Sequence, residues 1–120
     1  MMKDGMTVNQ RDIVLIPFPY SDLSQHKKRP VVVISGKEYN ERNSDLICCA
    51  ITSNPRDYAN SIEISKRDLD SGNLKYDSKI KPNKIFTLEQ DKIITILGRL
   101  NILKSKEVVS NLNLCIEIDE

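Results

Sequence analysis

Tryptophan is absent from this sequence, and the other aromatics amount to four tyrosines and two phenylalanines. A core for 120 residues must therefore be built from Ile, Leu and Val. Charge of one sign is missing as well: 18 Lys+Arg face 17 Asp+Glu, for a net charge of +1. Such a chain is not a polycation, so any nucleic-acid contact has to be a local patch. The balance also excludes a polybasic membrane surface. No apolar run approaches the ~20 residues of a membrane span, and residues 1–10 are polar, without the apolar core of a secretory signal. The expectation is a soluble, cytoplasmic protein that does not associate with membranes.

Histidine occurs once, as His26, and no Cys-x-x-Cys spacing appears, which argues against a zinc site. The three cysteines, Cys48, Cys49 and Cys115, are an odd set. They are expected to be buried apolar residues of a reducing compartment, with Cys48 and Cys49 on opposite faces of one strand. Asp68, Asp70 and Asp77 show no metal-ligand spacing. Gly36 and Gly72 form no phosphate loop. Nothing in the residues calls for a metal or a cofactor. No internal repeat, low-complexity segment or second domain is visible. Residues 1–120 are expected to form one domain, with 1–11 partly flexible except near 7–12.

What is present is a succession of short apolar runs. Residues 13–16 and 31–34 are rich in β-branched side chains and too short for helices, so they predict strands. Pro17 and Pro19 stop the first, and Pro30 marks the start of the second. The connection 17–28 is long for a hairpin, which suggests function or partial disorder. Residues 36–44 read as a polar linker. Residues 46–52 (LICCAIT) predict a central strand buried on both faces. Residues 61–65 alternate, as a half-exposed strand does. Residues 68–72 read as a turn. Residues 78–81 and 85–88 read as two strands around a Pro82-Asn83 turn, and 93–97 as a further strand followed by Gly98 at a bulge or packing contact. Ser105 is a candidate cap for a C-terminal helix whose apolar face would be Val108, Val109, Leu112, Cys115 and Ile116. The fold class expected is mostly β (α+β): a small, curved barrel or sandwich of antiparallel strands with a C-terminal helix.

Several residues suit phosphate chemistry. Arg29 ends the long loop at the mouth of a rigid strand, where a permanently charged fork can bind a phosphate through two hydrogen bonds. The plain alternative is a surface arginine pairing with Asp22 or solvent. Thr52 and Ser53 end the most buried strand, so their hydroxyls should be well fixed. They can equally be ordinary turn residues. His26 can act as a general acid or base near neutral pH, or can simply be a solvated loop residue. Tyr20 and Phe18 either stack on a base or pack against the barrel rim.

The stretch Asp12-Ile13-Val14-Leu15-Ile16-Pro17-Phe18-Pro19, then Asp22-Leu23-Ser24, then Lys28-Arg29-Pro30-Val31-Val32-Val33-Ile34-Ser35, resembles the N-terminal signature of the PemK/MazF-like toxins, ribonucleases of type II toxin–antitoxin pairs. The resemblance runs over roughly 12–100. It implies an SH3-like barrel and a sequence-selective, metal-independent endoribonuclease that cuts single-stranded mRNA. It makes Arg29 and Thr52 the catalytic residues and points to the segment of Lys81 and Asn83 for RNA positioning; Lys28, Ser53, Tyr20 and His26 are RNA-binding candidates by their own chemistry, and His26 stands at no position that the resemblance singles out. It also implies a homodimer and a cognate antitoxin as partners.

Two departures stand out. Some family members carry an arginine and, two residues on, an aspartate where this chain has Lys81 and Asn83; lysine can stabilise charge, but asparagine cannot act as a base. The family usually has glycine where Arg11 stands. An alternative consistent with these departures is a catalytically inactive binding module of the same fold, for example one that acts as gyrase inhibitors do.

Overall fold

The computed structural model describes residues 7–17 and 27–120. Its elements are β1 (Asp12–Pro17), β2 (Lys28–Val33), α1 (Lys37–Arg42), β3 (Asp45–Thr52), β4 (Ile62–Ile64), β5 (Leu69–Gly72), β6 (Ser78–Glu89), β7 (Thr95–Leu100) and α2 (Ile102–Cys115). The seven strands make one sheet in the order β4-β6-β3-β2-β1-β7-β5, and every pairing is antiparallel. Laid flat, the two edges would stand about 29 Å apart, at roughly 4.8 Å per strand spacing. Yet Ile62 and Ile64 from one edge share a hydrophobic cluster with Leu69, Leu97 and Leu100 from the other. The sheet is therefore curled into a half-barrel, and α2 closes the opening with Val108.

The strands alternate between two buried clusters. Ile13, Val32, Cys49 and Ile51 face the inside of the curl, under α2. Val14, Ile16, Val31, Val33, Leu46 and Cys48 face the other way, where Val8 and Ile93 cover them. This is why the runs VVVI and LICCAI look continuously apolar: both faces are dry. β3 lies between β2 and β6, as a central strand should. The adjacent thiols part to opposite faces as expected, and both are fully buried. Burial pushes the Cys48 thiol up to about 12, with the neighbouring Cys49 adding to the effect, and pushes Cys49 up to about 11.

Several expectations are corrected. Residues 36–44 contain the short helix α1, which has no internal glycine or proline and carries a Glu38–Arg42 ion pair one turn apart at 3.2 Å. Residues 68–72 are not a turn. A 3₁₀ turn at Lys66–Asp68, closed by a reciprocal Ser65/Asp68 cap, leads into edge strand β5. The two strands around Pro82 are one, β6, interrupted by a bulge. β2 begins at Lys28, ahead of Pro30, which is tolerated because pairing with β3 starts only at Val31. The last strand is Thr95–Leu100, and Ile93 belongs to the core before it. The bulge between β1 and β7 leaves out Leu97, beside Gly98. A side chain at Gly98 would stand 2.5 Å from the Ser71 carbonyl of β5, so the close approach of these strands requires glycine there.

The C-terminal helix begins one turn earlier than Ser105. Asn101 is its cap, accepting the Lys104 N–H at 2.8 Å, while the Ser105 hydroxyl donates back to the Asn101 carbonyl. Of its expected apolar face only Val108 is buried. Cys115 is exposed, contrary to expectation, because α2 packs on β4 and β6 through one short stretch and its last turn runs beyond them.

The start of β1 is tied by charge. Asp12 is buried, accepts the Asn9 N–H at 2.8 Å and pairs with Arg99 Nε at 3.2 Å. Arg11 has φ +80°, a left-handed conformation that glycine adopts without strain. This accounts for the usual glycine in the family pattern. Arg11 offsets the strain with its guanidinium, which donates to the Leu100 carbonyl at 2.9 Å and to Asp70 at 3.0 Å.

Two predictions follow from these contacts. Asp12→Ala should destabilise the fold by about 3 kcal/mol, since it leaves Arg99 half-buried without its partner; urea unfolding measures this, and a loss under roughly 0.5 kcal/mol would remove Asp12 from the anchoring role. In native protein a thiol reagent should label Cys115 alone, and after unfolding all three cysteines. The raised thiol values contribute stability that is complete below the ordinary 9.0 and lost as the pH climbs from 9 towards 11–12, so unfolding midpoints should fall across that window. They should do so less in a Cys48→Ala variant.

Candidate active site

The antiparallel register brings four strand ends to one end of the sheet. β1 ends at Pro17 opposite Lys28, β3 ends at Thr52 opposite Lys79, and β4 places Glu63 against Lys79 on its other side. β2 pairs with β3 through Val31↔Ala50, Val32↔Cys49 and Val33↔Cys48. Ile16 is opposite Arg29, and Thr52 is opposite Lys79. Arg29 and Thr52 each stand two residues beyond the last pair of β2 with β3, at the same level of the sheet. Alternation puts these side chains on the face of Val31, Val33 and Cys48. Residues 23 positions apart in sequence are thus brought to the same end of adjacent strands by pairings that the hydrophobic pattern enforces.

Arg29 and Thr52 are half-buried, while Lys28 and Ser53 are exposed. The Thr52 hydroxyl oxygen accepts the Asn54 N–H at 3.1 Å, which fixes the oxygen and leaves its proton for an outside acceptor. Asn54 Oδ1 in turn accepts the Arg56 N–H at 3.0 Å. The turn chemistry expected of Thr-Ser-Asn-Pro is therefore real, and it also orients the hydroxyl.

Lys81 stands opposite Ala50, two residues along β6 from Lys79 and on the same face. Its ammonium lies 4.0 Å from the centre of the Tyr58 ring. Asn83 is exposed in the bulge: Cys49 pairs with Ile85 and Ala50 with Lys81, so Pro82, Asn83 and Lys84 have no partner on β3. Pro82 is turned inward and fully buried, which turns Asn83 and Lys84 outward. The structure thus gathers Arg29, Thr52 and Lys81 on one face and leaves Ser53 and Asn83 at its margins. Tyr20 and His26, together with Phe18 and Asp22, lie outside the described residues.

Lys79 is a feature that sequence reasoning missed. It donates to the Pro55 carbonyl at 3.2 Å and the Arg56 carbonyl at 3.0 Å, and pairs with Asp57 at 3.5 Å. These contacts pin the connection after Thr52 to β6. The only signal in the sequence was a lysine at period two from Lys81. A polar cleft of about 710 Å³ adjoins this connection, with Ser53, Asp57, Glu63, Lys79 and Lys104 in its walls.

The strand ends of this half-barrel thus collect an arginine, an oriented hydroxyl and a lysine, and comparison with known proteins identifies the family. Residues 9–116 match the model of the PemK-like, MazF-like toxin of type II toxin–antitoxin systems, and the chain belongs to that family. The fold is similar to an endoribonuclease solved in complex with its cognate antitoxin from a mycobacterial species, at TM-score 0.75 and 14% identity over 95% of this chain and 99% of that one. It is also similar to the Mycobacterium tuberculosis toxin MazF-mt6, at 0.71 and 15% over 92% and 100%. A third likeness is to a MazE–MazF structure from Deinococcus radiodurans, at 0.74 and 16% over 93% and 98%. No curated protein matches the sequence. Among the described residues, no helix is long and apolar enough to cross a membrane.

Replacing Lys79 with methionine should free the 53–58 connection while keeping the stem packed. The expected result is faster tryptic cleavage after Arg56 and a stability loss of about 1–3 kcal/mol. Cleavage at the wild-type rate would show that Lys79 does not hold the loop.

Proposed function

We propose that the chain is a sequence-selective endoribonuclease toxin that cuts single-stranded RNA without a metal ion and is restrained by a cognate antitoxin. The observation that carries this reading is that Arg29 of β2, Thr52 of β3 and Lys81 of β6 share one face at the open end of the sheet. In such a cleavage the ribose 2′-hydroxyl gives up its proton to a base as its oxygen attacks the adjacent phosphorus, the bond to the 5′-oxygen breaks, and the departing oxygen takes up a proton. The products are a 2′,3′-cyclic phosphate and a 5′-hydroxyl end.

The protein must align the attack and stabilise charge on the five-coordinate phosphorus. Arg29 supplies a permanent charge and paired donors for the equatorial oxygens. Thr52 donates its hydroxyl to one of them, held at a fixed angle by the bond from Asn54. Lys28 and Lys81 add positive field along the backbone, and Ser53 and Asn83 line the path of the strand. Asn83 can hold a base or a phosphate by hydrogen bonds but does not move a proton. His26 is the candidate for proton transfer, and Tyr20 for stacking on a splayed base.

The proposed protein is one cytoplasmic domain that works as a homodimer. The apolar run 93–97 and the apolar side chains of α2 are the two candidates for the dimer surface, and Ile93 at the head of that run is fully buried in the core. Exposed apolar side chains of α2, among them Leu103, Val109 and Leu114, are better placed for it.

The test is incubation of a long unstructured RNA with purified protein in EDTA, with the new ends mapped. Wild type should cut at a short recurrent sequence and leave 5′-hydroxyl ends, and Arg29→Ala and Thr52→Ala should each lower the rate roughly 10²-fold or more. A folded wild-type protein that cuts no RNA would leave the binding-module reading in place. Cutting that survives Arg29→Ala would reject the mechanism and direct attention to His26 and Lys81.

A further inference from the structure

The two lysines that face the site from β6 are used differently. Lys79 is committed: its ammonium is taken up by the carbonyls of Pro55 and Arg56 and by Asp57. Lys81 instead stands against an aromatic face, 4.0 Å from the Tyr58 centroid. The Arg56 guanidinium is 5.3 Å from the same centroid. Both distances lie within the roughly 6 Å reach of a cation–π contact. Tyr58 and Lys81 are half-buried, whereas residues 53–57 are exposed, so the ring is folded back onto the sheet while the chain that carries it stays in solvent.

The geometry points to Tyr58 as a positioning residue that holds the Lys81 ammonium beside Arg29 and Thr52, so that RNA meets Lys81 as a fixed charge; this rests on the ribonuclease reading above. A lysine has a flexible four-carbon stem and a strongly hydrated head, and left to itself it samples many rotamers. A ring face 4.0 Å away removes water from one side of the ammonium and confines the stem. The remaining N–H groups are then directed to the side away from the ring. Lys79 keeps Tyr58 in place, because its contacts end at Asp57, one residue before the tyrosine. The two lysines thus form a relay: one fixes the loop, and the loop fixes the other. The contact uses the ring face, so the phenol hydroxyl is dispensable to it.

A double-mutant cycle tests this, with wild type, Tyr58→Leu, Lys81→Ala and the double variant, and with Tyr58→Phe as the conservative change. The readouts are kcat and KM on an RNA carrying a mapped cut site, and Kd for the same RNA made uncleavable by a 2′-deoxy sugar at that linkage. Tyr58→Leu should lower kcat/KM about tenfold, and Tyr58→Phe should restore most of that loss. In the Lys81→Ala background Tyr58→Leu should cost nothing more, because the residue it positions is gone.

An equal loss in both backgrounds overturns the proposal and makes Tyr58 an independent contact, such as a stacking platform for a base. A Tyr58→Phe variant as impaired as Tyr58→Leu overturns it too. Should wild type cut no RNA, the ribonuclease reading fails separately, and the same cycle is read on Kd for a mixed-sequence single-stranded RNA. Non-additive losses there support the Tyr58–Lys81 relay, and additive ones remove it. The ε-methylene protons of Lys81 provide a structural control, since the ring should shift them upfield in wild type and not in Tyr58→Leu.

Discussion

The pairing of β3 with β2 on one side and β6 on the other is the constraint from which the site and most of the core follow. Each residue of β3 has one neighbour on each side, and a slip of one residue would turn every side chain to the opposite face. Here both faces are apolar, so hydrophobicity alone would tolerate such a slip better than usual. What resists it is size and chemistry: Cys48 and Leu46 fill one cluster while Cys49 and Ile51 fill the other. At the end of the strand the polar residues begin together, Arg29 on β2, Thr52 on β3 and Lys79 on β6. A site built on three strand ends inherits the rigidity of the ladder beneath it.

The opposite edge of the fold is held by charge as well as by apolar packing. Asp12 and Arg11 lie where β1, β5 and β7 converge, and their partners Arg99, Asp70 and the Leu100 carbonyl belong to the other two strands or their ends. Ladder pairing brings these strands together, with Gly72 against Gly98 because no side chain fits between them. The barrel is thus closed by ion pairs and glycines at one edge and by α2 over β4 and β6 at the other.

Much of this was legible in the sequence where physics is local. The β-branched runs marked β1, β2 and β3, and the adjacent cysteines had to part because strands alternate. Arg29 and Thr52 could be singled out as candidates because each sits where an apolar run gives way to polar residues, and it was the resemblance rather than that pattern that gave them a catalytic role. What could not be read depended on partners distant in sequence. Nothing near Lys79 tells that it will clasp the carbonyls of Pro55 and Arg56, and nothing near Tyr58 announces Lys81. Cys115 and Ile116 have the spacing of a buried helix face, but α2 outruns the strands it packs on, and periodicity carries no information about where a partner ends. The short helix at 37–42 was hidden by polar composition, since a surface helix of under two turns has no apolar stripe to display.

Pro82, Asn83 and Lys84 divide β6 into two segments that keep separate registers with β3. Before them the strand alternates between buried Ser78 and Ile80 and the site-facing Lys79 and Lys81; after them Phe86 and Leu88 pack against the second cluster. An insertion or deletion among these three residues would lengthen or shorten an outward loop while both flanking registers stayed in place. Descendants of this sequence therefore have a position at which the outward rim of the sheet can be remodelled without refolding the half-barrel. Pro82, locked inward, is the hinge post that any such remodelling would have to keep.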